Sequence, residues 1–303
     1  MKEYSYEERH MGTAVSLSFV CPNQITADTM AHSAFTIIKN YEQRFSRFLL
    51  TSELSQLNQA GTSIVSAEFL TVLKRSLEMA TLTKNNFNPL LQVKLLGYTD
   101  SYSQLKTNPS KNILPYVSYN TDHTQCDIHE KTSRVTLKQN QQLDFGGILK
   151  GYLATEIADI VMDMNDTCTG CIINIGGDLA TRGVDELHQP FIFHLYNPIT
   201  GIELPIAITN KSLATSGTYA RKWQTDDGIK NHIVDEHTHQ NPKTDIVAVS
   251  IIANDGALTE ALTKLFLNRG VAEATTIVSP HLYHYQYFVC LKSGETNSTI
   301  TII

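Results

Sequence analysis

Residues 143–152 read LDFGGILKGY, and the rest of the chain divides around them. A glycine pair between an apolar stretch and a helical pattern marks a strand-to-helix junction, where glycine lets the backbone turn sharply and lets a ligand come close. Residues 146–164 therefore read as a helix. The free N–H groups of its first turn form an anion site, with Lys150 one turn inside to add a point charge. The GxxxxGK[ST] spacing of a Walker loop is absent, and so is GxGxxG, so a plain glycine turn and a phosphate cradle explain these ten residues equally well.

Downstream of this junction the pattern is mostly strand. Residues 171–175, 191–196, 204–208, 246–252 and 283–290 are β-rich and separated by Gly, Pro and Asn. One helix, 257–268, interrupts them and is closed by Gly270. Upstream, apolar residues alternate over 13–20 as in a half-buried strand, and 26–45 and 66–83 carry helical spacing. Short strands are expected within 116–143, around turns at Asn120-Thr121 and Glu130-Lys131. The stretch 85–115 holds three of the nine prolines and is expected to wrap the surface or line a site. Runs of strands with a few long helices, without βαβ alternation, predict an α+β fold with mixed or antiparallel sheets, and one domain over 1–303.

Composition narrows the function classes. The 303 residues carry 24 basic and 30 acidic side chains, a net charge of −6, with no Lys/Arg run longer than two such as Arg221-Lys222. The footprint of a nucleic-acid binder is missing. No segment reaches the roughly 20 apolar residues of a membrane span. The start, MKEYSYEERHMG, lacks a signal-peptide core, so the chain reads either as cytoplasmic or as a mature periplasmic or anchored form whose leader was removed. Five cysteines, at 21, 126, 168, 171 and 290, do not suggest a disulfide framework, and Cys168 and Cys171 read as small hydrophobes entering a strand.

Three further clusters stand out. NIGGDLATRG (174–183) ends a strand in Gly176-Gly177-Asp178. LATSGTYARKW (213–223) offers Thr215, Ser216 and Gly217 as short donors on flexible backbone. HIVDEHTH (232–239) puts His232, His237 and His239 beside two carboxylates. Each also reads as a polar turn, and the last alternatively as a metal site.

With these clusters in this order, the chain resembles the ApbE family of FAD:protein FMN transferases. His10-Met11-Gly12-Thr13 is similar to the family's opening Met-Gly-Thr strand, and Phe45-Ser46 through Ser52-Glu53-Leu54 to Leu57-Asn58 resembles fS...SeLs.lN. Phe87-Asn88-Pro89 with Leu95-Leu96-Gly97-Tyr98 resembles fDp...lwGf. LDFGGILKGY is similar to iDlGgiaKGy, NIGGD to NxGGD, and SLATSGTY to siATSGdy.

The resemblance implies the FMN-transferase fold and a site for FAD built from 144–151, 174–178, 213–219 and 232–235. It also implies transfer of FMN to a Thr or Ser of an acceptor flavoprotein subunit. Met11, Phe48, Asn86, Phe87 and Asn88 fall on flavin-contacting positions, and Asp144 and Lys150 on the adenosine and pyrophosphate region. His232-Ile233 lines the cofactor, His232 being placed to take the acceptor's proton or to hydrogen-bond a phosphate. Gly147 falls where a carbonyl contacts Mg²⁺.

The family's metal-ligating segment, ADALsTalfvlG, here reads TEALTKLFLNRG, with Glu260 for Asp and Lys264 for Thr. Asn88 likewise stands where Asp is usual, and HIVDEHTH lacks the Pro, Arg and Gly of HiiDPrtG. An ammonium cannot ligate Mg²⁺, so Gly147 and Glu260 remain candidate metal positions in a site read as degenerate. Glu260 and Lys264 are either an ordinary i,i+4 surface pair or a pair in which Lys264 puts its own charge where the metal would sit. The functional alternatives are an active transferase and a catalytically silent FAD-binding homologue.

Overall fold

The computed structural model describes residues 1–90, 119–225 and 228–303. The 95–98 segment and most of the proline-rich 85–115 stretch lie outside the described residues.

β1 (Lys2–His10) and β2 (Thr13–Cys21) form a hairpin across Met11-Gly12, both with positive φ, 52° and 71°. That geometry matches the twist of the flanking strands. The alternation over 13–20 buries Val15, Leu17 and Phe19 completely. β1 has no apolar period. Its side chains are mostly exposed and charged, as suits the edge of a sheet, where charge discourages pairing with another chain.

α1 (Gln24–Phe45) starts at Asn23, whose side chain accepts the Thr26 N–H at 3.0 Å. α2 (Glu53–Ala60) ends on Gly61 in the left-handed region. After β3 (Thr62–Ile64) comes α3 (Ala67–Leu82), capped by Ser66. β4 (Asp127–His129) and β5 (Arg134–Thr136) complete a small sheet with β3. α4 (Leu149–Asp163) follows the glycine pair and has no side-chain N-cap.

β6 (Gly170–Ile175), β7 (Asp178–Gly183), β8 (Phe191–Tyr196), β9 (Glu203–Ile208), β10 (Ser212–Gly217), β11 (Lys222–Thr225), β12 (Gly228–Asn231) and β13 (Ile246–Ala253) follow. α5 (Gly256–Ile277), α6 (Pro280–Tyr283), β14 (Gln286–Leu291) and β15 (Thr296–Ser298) end the chain.

Eight strands form one antiparallel sheet in the order β1-β2-β6-β7-β10-β13-β14-β15. Period-two alternation sends successive residues of β13 into two cores. Val249, Ile251 and Ala253 face α4 and α5, whereas Ala248 and Ile252 pack with Leu195, Ile206 and Ile208 of the β8–β9 hairpin. The expected α+β class with antiparallel sheets is what the chain adopts.

Three features place the site. Phe145 packs edge-on against Phe45 and Phe69, each at 5.5 Å between ring centroids, which fixes the glycine turn to α1 and α3. α4 and α5 cross at Gly151 and Gly256. A Cβ on Gly151 would lie 2.5 Å from the Gly256 carbonyl oxygen and 2.7 Å from Glu260 Cγ, so only glycine permits this approach. Gly176 and Gly177, with φ of 66° and 100°, form the two-residue turn between β6 and β7 and place Asp178 at the head of β7.

Four expectations need correction. Gly270 (φ 77°, ψ 170°) kinks α5, and helix resumes to Ile277. The strand expected over 283–290 starts only at Gln286, because Tyr283 closes a short helix, Pro280–Tyr283, initiated by Pro280. The glycine- and threonine-rich segments at 178–183 and 212–217 are central strands. Finally, Cys21 and Cys168 form a disulfide with Cα atoms 4.4 Å apart, while Cys126, Cys171 and Cys290 are free. Its cause is strand register: β2 sets Val20 opposite Gly170, and the next residues outward are the two cysteines' neighbourhood.

Candidate functional site

A cleft of about 510 Å³ opens where the glycine turn before α4, the β6–β7 turn, the end of β10 and the middle of α5 converge. Its apolar part is built by Met11 from the β1–β2 turn, Phe48, and Phe87 with Asn86 and Asn88 after α3. Gly147, Lys150, Gly176, Asp178, Thr215, Ser216 and Gly217 line the middle, with His232 and Ile233 on one side and Glu260 and Lys264 on the floor. Of the residues singled out in the sequence for the FAD site, Gly177 is outside the lining, as are His237 and His239 of the histidine cluster. Gly177 serves the turn, its N–H donating to Asn174 Oδ1 at 2.8 Å.

Local packing explains how several of these side chains are held. Asp144 accepts the Gly146 N–H at 2.8 Å through one oxygen and pairs with Arg47 through the other. Arg47 also stacks over the Phe48 ring, 4.9 Å from its centroid. Asn88 donates to the Thr121 carbonyl at 2.8 Å and accepts the Leu90 N–H at 2.9 Å. A carboxylate could not make the first of these bonds. Ser216 bonds Thr263 at 2.9 Å, and Thr263 donates to the Glu260 carbonyl at 2.7 Å, which joins β10 to α5. Thr215 bonds Ser250 at 2.8 Å.

The floor is a cluster of four charges. The Lys150 ammonium pairs with Asp178 and lies 3.3 Å from Glu260 Oε1, while Lys264 pairs with Glu260 Oε2. Glu260 is 2% exposed, which excludes the surface-pair reading. Burial alone would raise the Glu260 pKa, but the ammonium groups of Lys150 and Lys264 hold it well below the usual carboxylate range. Asp178 is pushed up to about 6 by burial and by the charge of Glu260, against the pull of Lys150. Lys150 stays protonated despite burial because of Asp178 and Glu260.

His232 Nδ1 is enclosed and has no hydrogen-bond partner among the described residues. Burial first, then the charges of Arg221, Lys264 and Lys150, bring its pKa down to about 3, so the imidazole is neutral at ordinary pH. The other two histidines do not join it. His237 is exposed, and the 235–240 loop is folded around Asp235, whose Oδ1 accepts the N–H groups of His237 and Thr238 at 2.8 and 3.1 Å. Among the described residues no group of three or more His, Cys, Asp or Glu side chains could hold a metal, so the histidine-cluster reading of 232–239 is not sustained.

Arg47 and Arg221 also line the cleft and were not among the candidates drawn from the sequence. Each sits beside a residue that was, Arg47 before Phe48 and Arg221 after the Thr215–Gly217 segment, and that adjacency was the available signal. Asp178 was visible only as part of NIGGD.

Comparison with known proteins places this cleft in context. The ApbE family model matches residues 11–289. A Klebsiella pneumoniae (strain 342) protein named FAD:protein FMN transferase is 24% identical over 284 residues, covering 88% of this chain and 83% of its own. One of the same name from Treponema pallidum (strain Nichols) is 26% identical over 285 residues, covering 86% and 77%. Among solved structures, the ApbE protein of Thermotoga maritima superposes with a TM-score of 0.83 at 21% identity, over 98% of this chain and 97% of that one. The apo flavinyl transferase ApbE of Pseudomonas stutzeri gives 0.82 at 15% identity, over 98% and 95%. The match begins at Met11 on the cleft's rim and runs through every segment that builds the cleft, and on that extent the chain belongs to the ApbE family.

Proposed function

We propose that the chain binds FAD in this cleft and transfers its FMN half to a Thr or Ser hydroxyl of an acceptor flavoprotein. The observation that carries this reading is that one cleft brings apolar side chains (Met11, Phe48, Phe87) together with cationic ones (Arg47, Lys150, Arg221, Lys264). A flat aromatic ring system joined to a pyrophosphate needs both kinds of contact. The names of the curated relatives supply the reaction.

In the transfer, the acceptor oxygen attacks the flavin-side phosphorus. The bond from that phosphorus to the bridging oxygen breaks, and AMP leaves with the electron pair, giving a phosphodiester between FMN and the acceptor. The hydroxyl proton passes to a base. His232 lines the cleft and is neutral, and a bound pyrophosphate, by offsetting the cations that hold its pKa down, would let it receive that proton. Lys150 and Lys264 stabilise charge on the non-bridging oxygens, and the Asp144–Arg47 pair orders the turn against which the pyrophosphate lies.

Mg²⁺, which the family resemblance implies, does not fit the residues present. Both Glu260 oxygens are occupied by ammonium groups, and Lys264 offers no lone pair. That same substitution favours a second reading, a homologue that binds FAD and is catalytically silent. Mass spectrometry of a Thr-bearing acceptor incubated with the protein and FAD separates the two. A mass gain of covalent FMN, lost in His232→Ala, is expected for a transferase, and FAD binding without any gain leaves the silent homologue.

A further inference from the structure

The four-charge floor of the cleft carries a more specific consequence, which rests on the FAD reading above. Glu260 is joined to two ammonium groups at once, one from α4 and one from its own helix. Lys264 has that single carboxylate partner, so two of its three N–H donors have no carboxylate to meet among the described residues. Its stem runs against the glycine turn: a Cβ placed on Gly147 would lie 3.5 Å from Lys264 Cε and 3.5 Å from the Phe87 ring. The ammonium is thereby held beside a turn that leads into α4, a helix without a side-chain cap. Lys150 and Lys264 are 18% and 15% exposed, and their carboxylate partners Asp178 and Glu260 are 5% and 2% exposed. Two cations thus sit at the lip of the floor with their counter-charges beneath them.

We propose that the Lys150–Lys264 ammonium pair, anchored from below by Glu260 and Asp178, takes the place of a divalent metal ion as the fixed positive charge for the pyrophosphate, so that this chain binds FAD as the metal-free dianion. An incoming Mg²⁺ would meet two like charges within its coordination reach and one carboxylate whose oxygens are already taken. A tethered ammonium needs no cation from solution, and the carboxylates beneath hold both lysines in place.

The test is a titration of FAD fluorescence against protein freed of metal, in chelator and again in millimolar Mg²⁺. For the unmutated protein the two dissociation constants are expected to agree within about twofold. Lys264→Met should weaken binding in chelator by tenfold or more, and Lys264→Arg, which keeps the charge, should stay within threefold. The pair Glu260→Asp with Lys264→Thr should bind poorly in chelator and recover tenfold or more with Mg²⁺. Thermal melting of each variant checks that it has folded. A tenfold gain in FAD affinity on adding Mg²⁺ to the unmutated protein would overturn the proposal, and the comparison does not depend on any variant folding. Absence of FAD binding in either condition would instead refute the FAD reading itself.

Discussion

Glu236 lies just behind the cleft wall, its Oε1 accepting from Thr121 at 3.3 Å while Oε2 is buried without a partner among the described residues. Burial pushes this carboxyl from its ordinary 4.5 up to about 7, against the hydrogen bonds of Thr121 and Asn88, with Asp235 adding to the rise and Arg269 opposing it. The sign follows from linkage. A raised pKa means that the folded state holds the proton more tightly than the unfolded chain does. The contribution of this group to stability is therefore highest below about pH 4.5, falls as pH rises toward 7, and stays lowered above it. Glu236→Gln removes the penalty. Its unfolding free energy from urea titration should match that of the unmutated protein near pH 4 and exceed it at pH 8, by roughly 1–2 kcal/mol after allowing for partial exposure. At this scale the sequence was informative where a motif surrounds the residue. His232 and the glycine turn could be picked out because chemistry-bearing residues cluster around them, and Lys264 because the family resemblance sets it on a metal-ligating position. Glu236 and Arg221 lie inside two of those clusters but carry no mark of their own, because their importance comes from what folds against them across the chain.

Helix α4 meets helix α5 at Gly151 and Gly256, where the Thr155 hydroxyl accepts the Gly256 N–H at 3.0 Å, and that contact sets the distance from Lys150 to Glu260. A methyl group on Gly151 has to displace the Gly256 carbonyl or the Glu260 side chain, which would lie 2.5 and 2.7 Å away. Gly151→Ala is thus expected to lower stability by about 1–3 kcal/mol in equilibrium urea unfolding. It should also weaken FAD binding, because Glu260 moves away from Lys150. The long helices were legible because apolar spacing at 26–45 and 66–83 is sustained over several turns, and their caps at Asn23 and Ser66 are strong local signals. β7 and β10 were not, for a physical reason. They lie in the middle of the sheet but hold one leucine each and otherwise mostly Gly, Ser, Thr and Ala, small residues that give way to α4 and α5 on one face. Gly217, at the end of β10, leaves no room for a Cβ, which would lie 2.5 Å from the Tyr219 ring and 2.9 Å from the Val247 carbonyl. Intrinsic propensity reads such a segment as a turn, and tertiary packing overrides it.

Across the molecule, the Cys21–Cys168 bond ties the first hairpin to the central strands over a sequence separation of 147. Cysteine spacing could not reveal it, since the partners become neighbours only through the pairing of β2 with β6. Alkylation in denaturant without reductant should label three of the five cysteines, and Cys21→Ser should cost about 2–5 kcal/mol of unfolding free energy relative to the oxidised protein. The Gly151–Gly256 crossing has another consequence, in the order of synthesis. Lys150 and Asp178 are 28 residues apart and leave the ribosome close together, but Glu260 follows Lys150 by 110 residues. Domains tend to fold from the N-terminus as they are made, so through that interval the nascent chain holds the lysine and the glycine turn, while the helix that completes the floor is still missing. An arrested or clipped chain ending before α5 therefore carries most of the residues that make the cleft recognisable but only the Lys150–Asp178 half of its charge cluster. On the FAD reading, binding is expected only once α5 has been made.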